Sequence, residues 1–259
     1  MRTTSLLIVR RLTLLVALAA TIVGVIPAAR ADLSYVSTLS AAGQDAETPH
    51  VGVDEDGDAV IVWRRFDGVN WRIQVRRRSA TGVLSAVQTL SPPERDADMP
   101  RVAVDGDGDA VAVWRRFDGT NLRIQARYRS AAGVLKVVQT VSPSGVDADG
   151  PKVGMDGDGD AVIVWWGYDS RMGPAVQARR RSAGGVLSVV QTVSDWPSYS
   201  PNLAVNKDGH AMIVWRVFEG GNWRVQGRHR SAAGALGALQ MISPAGRDVW
   251  GFEPEVGMG

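Results

Sequence analysis

The sequence predicts an all-β fold, a β-propeller of four complete four-stranded blades of about 51 residues plus partial edge strands, and three observations carry that prediction. First, one motif recurs along the 259 residues, starting at Ser40, Ser91, Ser142, Ser194 and Ser243 with offsets of 51, 51, 52 and 49. Second, each complete copy (40–90, 91–141, 142–193, 194–242) holds four short runs of strand length, and the partial fifth, 243–259, matches the start of the others. Third, Asp-Gly or Gly turns separate the runs, and helix signals are missing. A period near 50 with four strands per unit is the pattern of propeller blades; a sandwich or a solenoid of hairpins is the alternative. Because the last copy stops in mid-motif, the ring reads as incompletely closed or the chain as cut short.

Ahead of the repeats, residues 1–31 read as a secretory signal peptide and 32–259 as the β-propeller repeat domain. Arg2, Arg10 and Arg11 give a basic start, Leu12 to Ile26 an apolar run, and Ala29-Arg30-Ala31 a small-x-small cleavage pattern. The run is short for a membrane span, so membrane attachment is expected only if this segment is not cleaved. The expected location is secreted or extracellular, at the cell surface or in the periplasm. Four of the 29 basic residues and none of the 27 acidic ones lie in this segment, which leaves the remainder formally at −2 rather than +2. The basic pI of the whole chain is therefore no argument for nucleic-acid binding, and no nucleic-acid partner is expected. With no cysteines, the fold rests on an ordinary core rather than on disulfides.

Within a unit, strand a is Val51 to Val53, followed by an acidic turn, and strand b is Asp58 to Trp63. Strand b is apolar on both faces, as suits a strand sandwiched between neighbouring sheets. Strand c, Arg72 to Ser79, alternates Ile73 and Val75 against Gln74, Arg76 and Arg78; strand d is Val83 to Leu90. The segment Leu33 to Ser40 aligns with strand d of the first repeat, Leu84 to Ser91, and reads as an outer strand that helps close the ring.

The acidic turn repeats as Asp54, Asp56, Asp58; Asp105, Asp107, Asp109; and Asp156, Asp158, Asp160. Carboxylates at alternate positions resemble the start of a calcium loop, and calcium is the cofactor these positions would take. The later requirements of an EF-hand fail: Ala59, Ala110 and Ala161 stand where Gly is needed, and Arg65, Arg116 and Gly167 where Glu is needed. The fourth copy, Asn206 to His210, keeps only Asp208-Gly209, which is what a tight hairpin requires. Turn chemistry without a metal, with Asp58 paired to Arg76 and Arg78, is therefore the expectation. Exposed pairs of that kind contribute roughly 0 to 1 kcal/mol each. The same arginine positions, Arg127, Arg179 and Arg228 with Arg129, Arg181 and Arg230, are expected beside acids or stacked on the Trp residues that end strand b.

The rim carrying the b–c turns is the expected binding face. Phe66, Asp67 and Trp71, Phe117 and Asp118, Tyr168 and Asp169, and Phe218, Glu219 and Trp223 place aromatics beside acids on loops. Trp196, Tyr199 and Trp250 on the d–a connections add to them. A flat apolar face against a sugar ring, with carboxylate or amide to its hydroxyls, is how such loops hold glycans. Catalytic motifs are missing: His50, His210 and His229 do not recur, and there is no nucleophile elbow, zinc motif or phosphate loop.

The segment "DGDAVIVW" and the period resemble exported bacterial propeller proteins with sialidase-type (BNR, Asp-box-like) repeats, over Ser40 to Gly259. That resemblance implies architecture rather than activity. A hydrolase needs carboxylates converging in one pocket, whereas repeats spread theirs round a ring. The functional expectation is thus a secreted non-enzymatic binding module for an extracellular glycan or protein ligand. A fragment of a propeller glycosidase and a purely structural repeat protein are the alternatives.

Overall fold

A computed structural model of the chain describes residues 37–169, 173–195, 197–244, 248–249 and 254–257. The signal segment 1–31, Trp196 and Trp250 lie outside the described residues, as does the side chain of Asp169. Four four-stranded antiparallel sheets follow one another in chain order, each a blade with sequential strand order, so the protein is an all-β propeller. Blade 1 contains β1 (Ala46–Val53), β2 (Ala59–Phe66), β3 (Trp71–Arg78) and β4 (Gln88–Thr89). Blade 2 contains β5 (Ala97–Val104), β6 (Ala110–Phe117), β7 (Leu122–Arg129) and β8 (Gln139–Thr140). Blade 3 contains β9 (Ala148–Met155), β10 (Ala161–Asp169), β11 (Gly173–Arg181) and β12 (Gln191–Thr192). Blade 4 contains β13 (Ser198–Val205), β14 (Ala211–Glu219), β15 (Asn222–Arg230) and β16 (Leu236–Met241). No described sheet joins strands from the two ends of the chain.

The core lies between blades. Val60 and Val62 of blade 1 pack with Ala112 and Trp114 of blade 2, and Val111 and Val113 of blade 2 with Ile163 and Trp165 of blade 3. Val162 and Val164 then meet Ile213 and Trp215. Strand b is buried on both faces because each face belongs to a different interface. Trp114, Trp165 and Trp215 are fully buried, and each indole N–H donates to the glutamine opposite it on strand c, Gln125, Gln177 or Gln226. Ser91, Ser142 and Ser194, which open the second to fourth repeats, are buried for a reason: their hydroxyls accept the backbone N–H of Ile73, Ile124 and Val176, and the half-buried Ser243 accepts that of Val225.

Both arginine rings join blades. Arg127, Arg179 and Arg228 donate to the carbonyls of Leu90, Val141 and Val193 of the preceding blade. Arg129, Arg181 and Arg230 donate to Gln88, Gln139 and Gln191, whose amides in turn donate to Gly133, Gly185 and Gly234. Arg76 makes the equivalent bond to the carbonyl of Leu39, 3.1 Å away. The end of the Leu33 to Ser40 segment therefore stands to blade 1 as the end of each fourth strand stands to the next blade.

Three local expectations are corrected. Asp58 pairs with Arg77, and Asp160 with Arg180, because Arg77 lies opposite Val60 on the face away from Arg76 and Arg78. In blade 2 the same place holds Tyr128 bonded to Asp109, and in blade 4 His210 against His229 at 3.2 Å. Second, the cations stack on aromatics other than the core Trp: Arg64 on Trp71 and Arg216 on Trp223, each 4.4 Å from the ring centre. Third, the fourth strand of blades 1 to 3 shrinks to Gln-Thr plus one isolated bridge, Arg78 to Leu84 in blade 1. Alternate valines face solvent, Val83 at 69% and Val137 at 79% exposure, while Leu135, Val138 and Val190 pack against the clusters between blades.

Candidate functional site

The innermost strands β1, β5, β9 and β13 share one irregularity. Each carries a bulge near its start, between Glu47 and His50 in blade 1 and between Asp98 and Arg101 in blade 2. At the bulge stands a residue with positive φ directly before a proline: Thr48 (50°), Met99 (52°), Gly150 (60°) and Ser200 (51°). A left-handed backbone is costly for non-glycine residues, above all for a β-branched threonine. Such strain is kept where the surroundings impose it, commonly at ligand sites.

The residue after each proline projects into a cavity of about 530 Å³ lined by Thr48, Pro49, His50, Met99, Arg101, Lys152, Asn202 and Glu255. A volume of this size suits a small ligand or one to two sugar units. Five equivalent repeat positions thus present histidine, arginine, lysine, asparagine and glutamate. His50 Nδ1 accepts the N–H of Val102, which leaves the proton on Nε2. Burial first, then the charges of Arg101 and Lys152, lower the imidazole pKa to about 4. Asn202 uses Oδ1 on the N–H of Leu203 and donates from Nδ2 to the carbonyl of Pro254.

Three carboxylates open the same strands. Asp98 lies between Arg64 (3.0 Å) and Arg115 (3.1 Å), Asp149 is 2.7 Å from Arg115, and Glu47 pairs with Arg64. Asp98 and Asp149 also accept the N–H of the bulge residues Met99 and Gly150, so the ion pairs and the bulge support each other.

The loop residues singled out from sequence fall round the same rim in separate groups. Trp71 and Phe117 share a cleft of about 210 Å³ with Asp98 and Arg115 between blades 1 and 2, and Phe66 packs on Trp71 at 5.7 Å. In blades 3 and 4, Trp166, Tyr199, Trp223 and Phe218 form a continuous edge-to-face chain with spacings of 5.7, 5.8 and 5.4 Å. Tyr168 is 57% exposed, outside that chain. The acids of these turns whose side chains are described, Asp67, Asp118 and Glu219, are occupied. Asp67 Oδ1 accepts the N–H of Val69 and Asn70, while Oδ2 meets Arg72 at 3.0 Å. Asp118 does the same with Thr120, Asn121 and Arg123. The amides of Asn121 and Thr120, then Arg123, hold the Asp118 carboxyl down at about 2. Glu219 pairs with Arg224 at 2.7 Å.

The cavity residues were not singled out from sequence, though the signal was present. The positions on both sides of Pro49, Pro100, Pro151, Pro201 and Pro254 differ in every copy, while the proline and the apolar run that follows recur.

No protein-family model matches the chain, and no curated protein matches it in sequence. Among solved structures, the GH93 α-L-arabinofuranosidase of Fusarium graminearum with arabinobiose superposes with a TM-score of 0.50 at 8% identity, over 71% of this chain and 62% of that one. A mutant of that enzyme with an iminosugar inhibitor gives 0.55 at 9% identity, over 76% and 66%. The Penicillium chrysogenum α-L-arabinanase with arabinobiose gives 0.50 at 11% identity, over 74% and 66%. The chain therefore spans about two thirds or less of the length of these structures, and the likeness is one of fold. These glycoside hydrolase neighbours overturn the expectation of a non-enzymatic module and favour the glycosidase alternative. The physical reason is that the objection to catalysis, acids spread evenly by repetition, does not hold where the repeat is broken. At the inner strands five equivalent positions carry five different side chains round one cavity.

Proposed function

We propose that this chain is a propeller glycoside hydrolase whose glycan binds over the central cavity. The observation that carries the reading is the loss of repetition at the residue after each inner-strand proline, where His50, Arg101, Lys152, Asn202 and Glu255 line one space. Repeats that served only packing would have little reason to diversify the positions that line one cavity, and a ligand without rotational symmetry does. Glycoside cleavage uses two carboxyl groups, one to protonate the leaving oxygen and one to stabilise or attack the anomeric carbon. Glu255, exposed at the cavity, is the candidate proton donor and acceptor. Asp98 and Asp149, held by Arg64 and Arg115, are the candidates for the second role. The aromatics Trp71, Phe117, Tyr168, Phe218 and Trp223 supply stacking surfaces for further sugar units along the rim. The leader-like first 31 residues support an extracellular setting, where glycan polymers are met.

The test is hydrolysis of a panel of aryl glycosides and arabinan-, galactan- and xylan-derived oligosaccharides. Glu255→Gln is expected to lower kcat by about 10²- to 10⁴-fold with an unchanged melting temperature, because the side chain is exposed. Absence of turnover across the panel, or full activity in Glu255→Gln, overturns the reading.

A further inference from the structure

Two of the three histidines of the chain meet at one place in blade 4. His210, just ahead of β14, and His229, in β15, stack with ring centres 5.2 Å apart and planes inclined by 27°. Nδ1 of His210 lies 3.2 Å from Nε2 of His229, and His229 is exposed, so an ion in solution reaches the pair. Blades 1 to 3 hold a carboxylate and a donor at the same two positions: Asp58 with Arg77, Asp109 with Tyr128, and Asp160 with Arg180. Each of these aspartates also accepts a backbone N–H across the sheet end, from Ala80, Ala131 or Ala183. In blade 4 both members of the pair differ, and both are imidazoles. A neutral imidazole pair joins two strands by one ordinary hydrogen bond, whereas a bond to an ionised group is the stronger kind. The exchange therefore weakens the clamp between β14 and β15 unless something enters between the rings.

We propose that His210 and His229 bind a late first-row divalent metal ion of the zinc, nickel and copper class, as a cross-strand site on blade 4. Imidazole suits these ions, while calcium and magnesium take oxygen ligands. Two nitrogens bonded to zinc at tetrahedral angles stand about 3.3 to 3.4 Å apart. The same bond lengths at a right angle, the square arrangement copper favours, bring them to about 2.9 Å. The observed 3.2 Å lies between these values and nearer the first. Loading a neutral pair releases no proton: the ring whose N–H faces its neighbour carries that proton on its outer nitrogen instead, and both inward lone pairs meet the ion. Among the described residues no larger group of His, Cys, Asp or Glu surrounds the pair, and water takes the remaining positions at a site this open. Two protein ligands keep an ion only while it is supplied, so protein without added metal is indifferent to a chelator. The pair lies at the end of the blade that carries the acidic turns, away from the cavity, and the inference is independent of the hydrolase reading.

Isothermal titration of the full chain with zinc, nickel and copper chlorides tests it. A single-ion step is expected with each, tightest for copper, and an excess of calcium or magnesium is expected to leave bound zinc in place. The double variant His210→Asp, His229→Arg rebuilds the pair of blades 1 and 3, so it is expected to keep the fold and to lose the step. His229→Gln alone is expected to weaken zinc binding by at least the roughly 10- to 100-fold that loss of an outer partner of a metal ligand costs. Added zinc is expected to raise the melting temperature of the wild type and to leave that of the double variant unchanged. Electron paramagnetic resonance of the copper-loaded chain is expected to show coupling to two imidazole nitrogens. Absence of a step with all three ions overturns the proposal, as does displacement of zinc by calcium. A zinc step that survives unchanged in the double variant does the same. Should circular dichroism show that the double variant does not fold, unchanged zinc affinity in His229→Gln is the overturning result and its loss the supporting one.

Discussion

At the scale of single residues, repetition turns neighbouring blades into controls for one another. Trp165 donates to Gln177 across a 2.9 Å bond, and both side chains are buried. Trp63 occupies the same position in blade 1, but its Nε1 has no partner among the described residues. Trp165→Phe therefore leaves the Gln177 carbonyl without its donor and is expected to cost about 2–4 kcal/mol, the lost bond added to lost indole packing. Trp63→Phe removes an unmatched donor and is expected to cost less than half as much. Urea unfolding of the two variants measures the difference; equal losses would mean that indole volume alone matters. That Trp ends strand b in the core was legible from its apolar run. Which indole is matched was not, because it depends on how closely the facing glutamine approaches.

At the scale of elements, the inner strands are set by small residues against large ones. A Cβ on Gly154 of β9 would lie 2.5 Å from Val205 Cγ2 and 3.0 Å from Val205 Cβ on β13, and one on Gly52 of β1 would lie 2.7 Å from Val104 Cγ2 on β5. In blade 2 the equivalent residue is Ala103, packed in the cluster that contains Met155, whose unbranched chain adapts more readily than valine. Gly154 has no positive φ, so the penalty for Gly154→Ala is steric alone. It is expected to lose about 1–3 kcal/mol. Gly184, whose added Cβ would meet nothing nearer than Ser182 Oγ at 3.8 Å, is the control. There Gly184→Ala is expected to gain about 0.4–1 kcal/mol through the unfolded chain. Thermal melts of both variants decide it, and a neutral Gly154→Ala would show that adjacent blades separate freely. The strands themselves were legible, because period-2 alternation and Asp-Gly turns are local signals. The fourth strand was over-read: Val83 and Val87 look like strand residues, yet the outer edge offers them nothing to pack on. The arginine partners were misplaced for a related reason, since strand alternation puts Arg77 on one face and Arg76 and Arg78 on the other, where Arg76 reaches the carbonyl of Leu39.

At the scale of the whole molecule, the two ends of the propeller axis differ in how far repetition persists, and that difference governed what the sequence revealed. The acidic end repeats and reads as turn chemistry; the opposite rim was legible as the binding face through its b–c loops, but the five cavity residues there, different in every copy, were passed over. The geometry at the acidic end gives those aspartates a local role. Asp105 Oδ1 accepts the N–H of Asp107 and Asp109, Asp156 Oδ1 those of Asp158 and Asp160, and Asn206 Oδ1 those of Asp208 and His210. An amide oxygen therefore closes the turn as well as a carboxylate does. Burial raises the Asp105 and Asp156 carboxyls above their ordinary value of 3.8, so their charged forms are disfavoured in the folded state. The sign follows from linkage: a carboxyl raised on folding contributes most at low pH and loses that contribution as pH climbs through its folded value. The double variant Asp105→Asn, Asp156→Asn is expected to match the wild type in strong acid and to exceed it in stability at neutral pH. If calcium instead held these turns together, the wild type would melt lower in a chelator and the double variant would be the less stable protein. Melting curves of both proteins from acid to neutral pH, with and without chelator, separate the two cases. Our expectation is a pH-dependent gain in the variant and no shift with chelator in either protein.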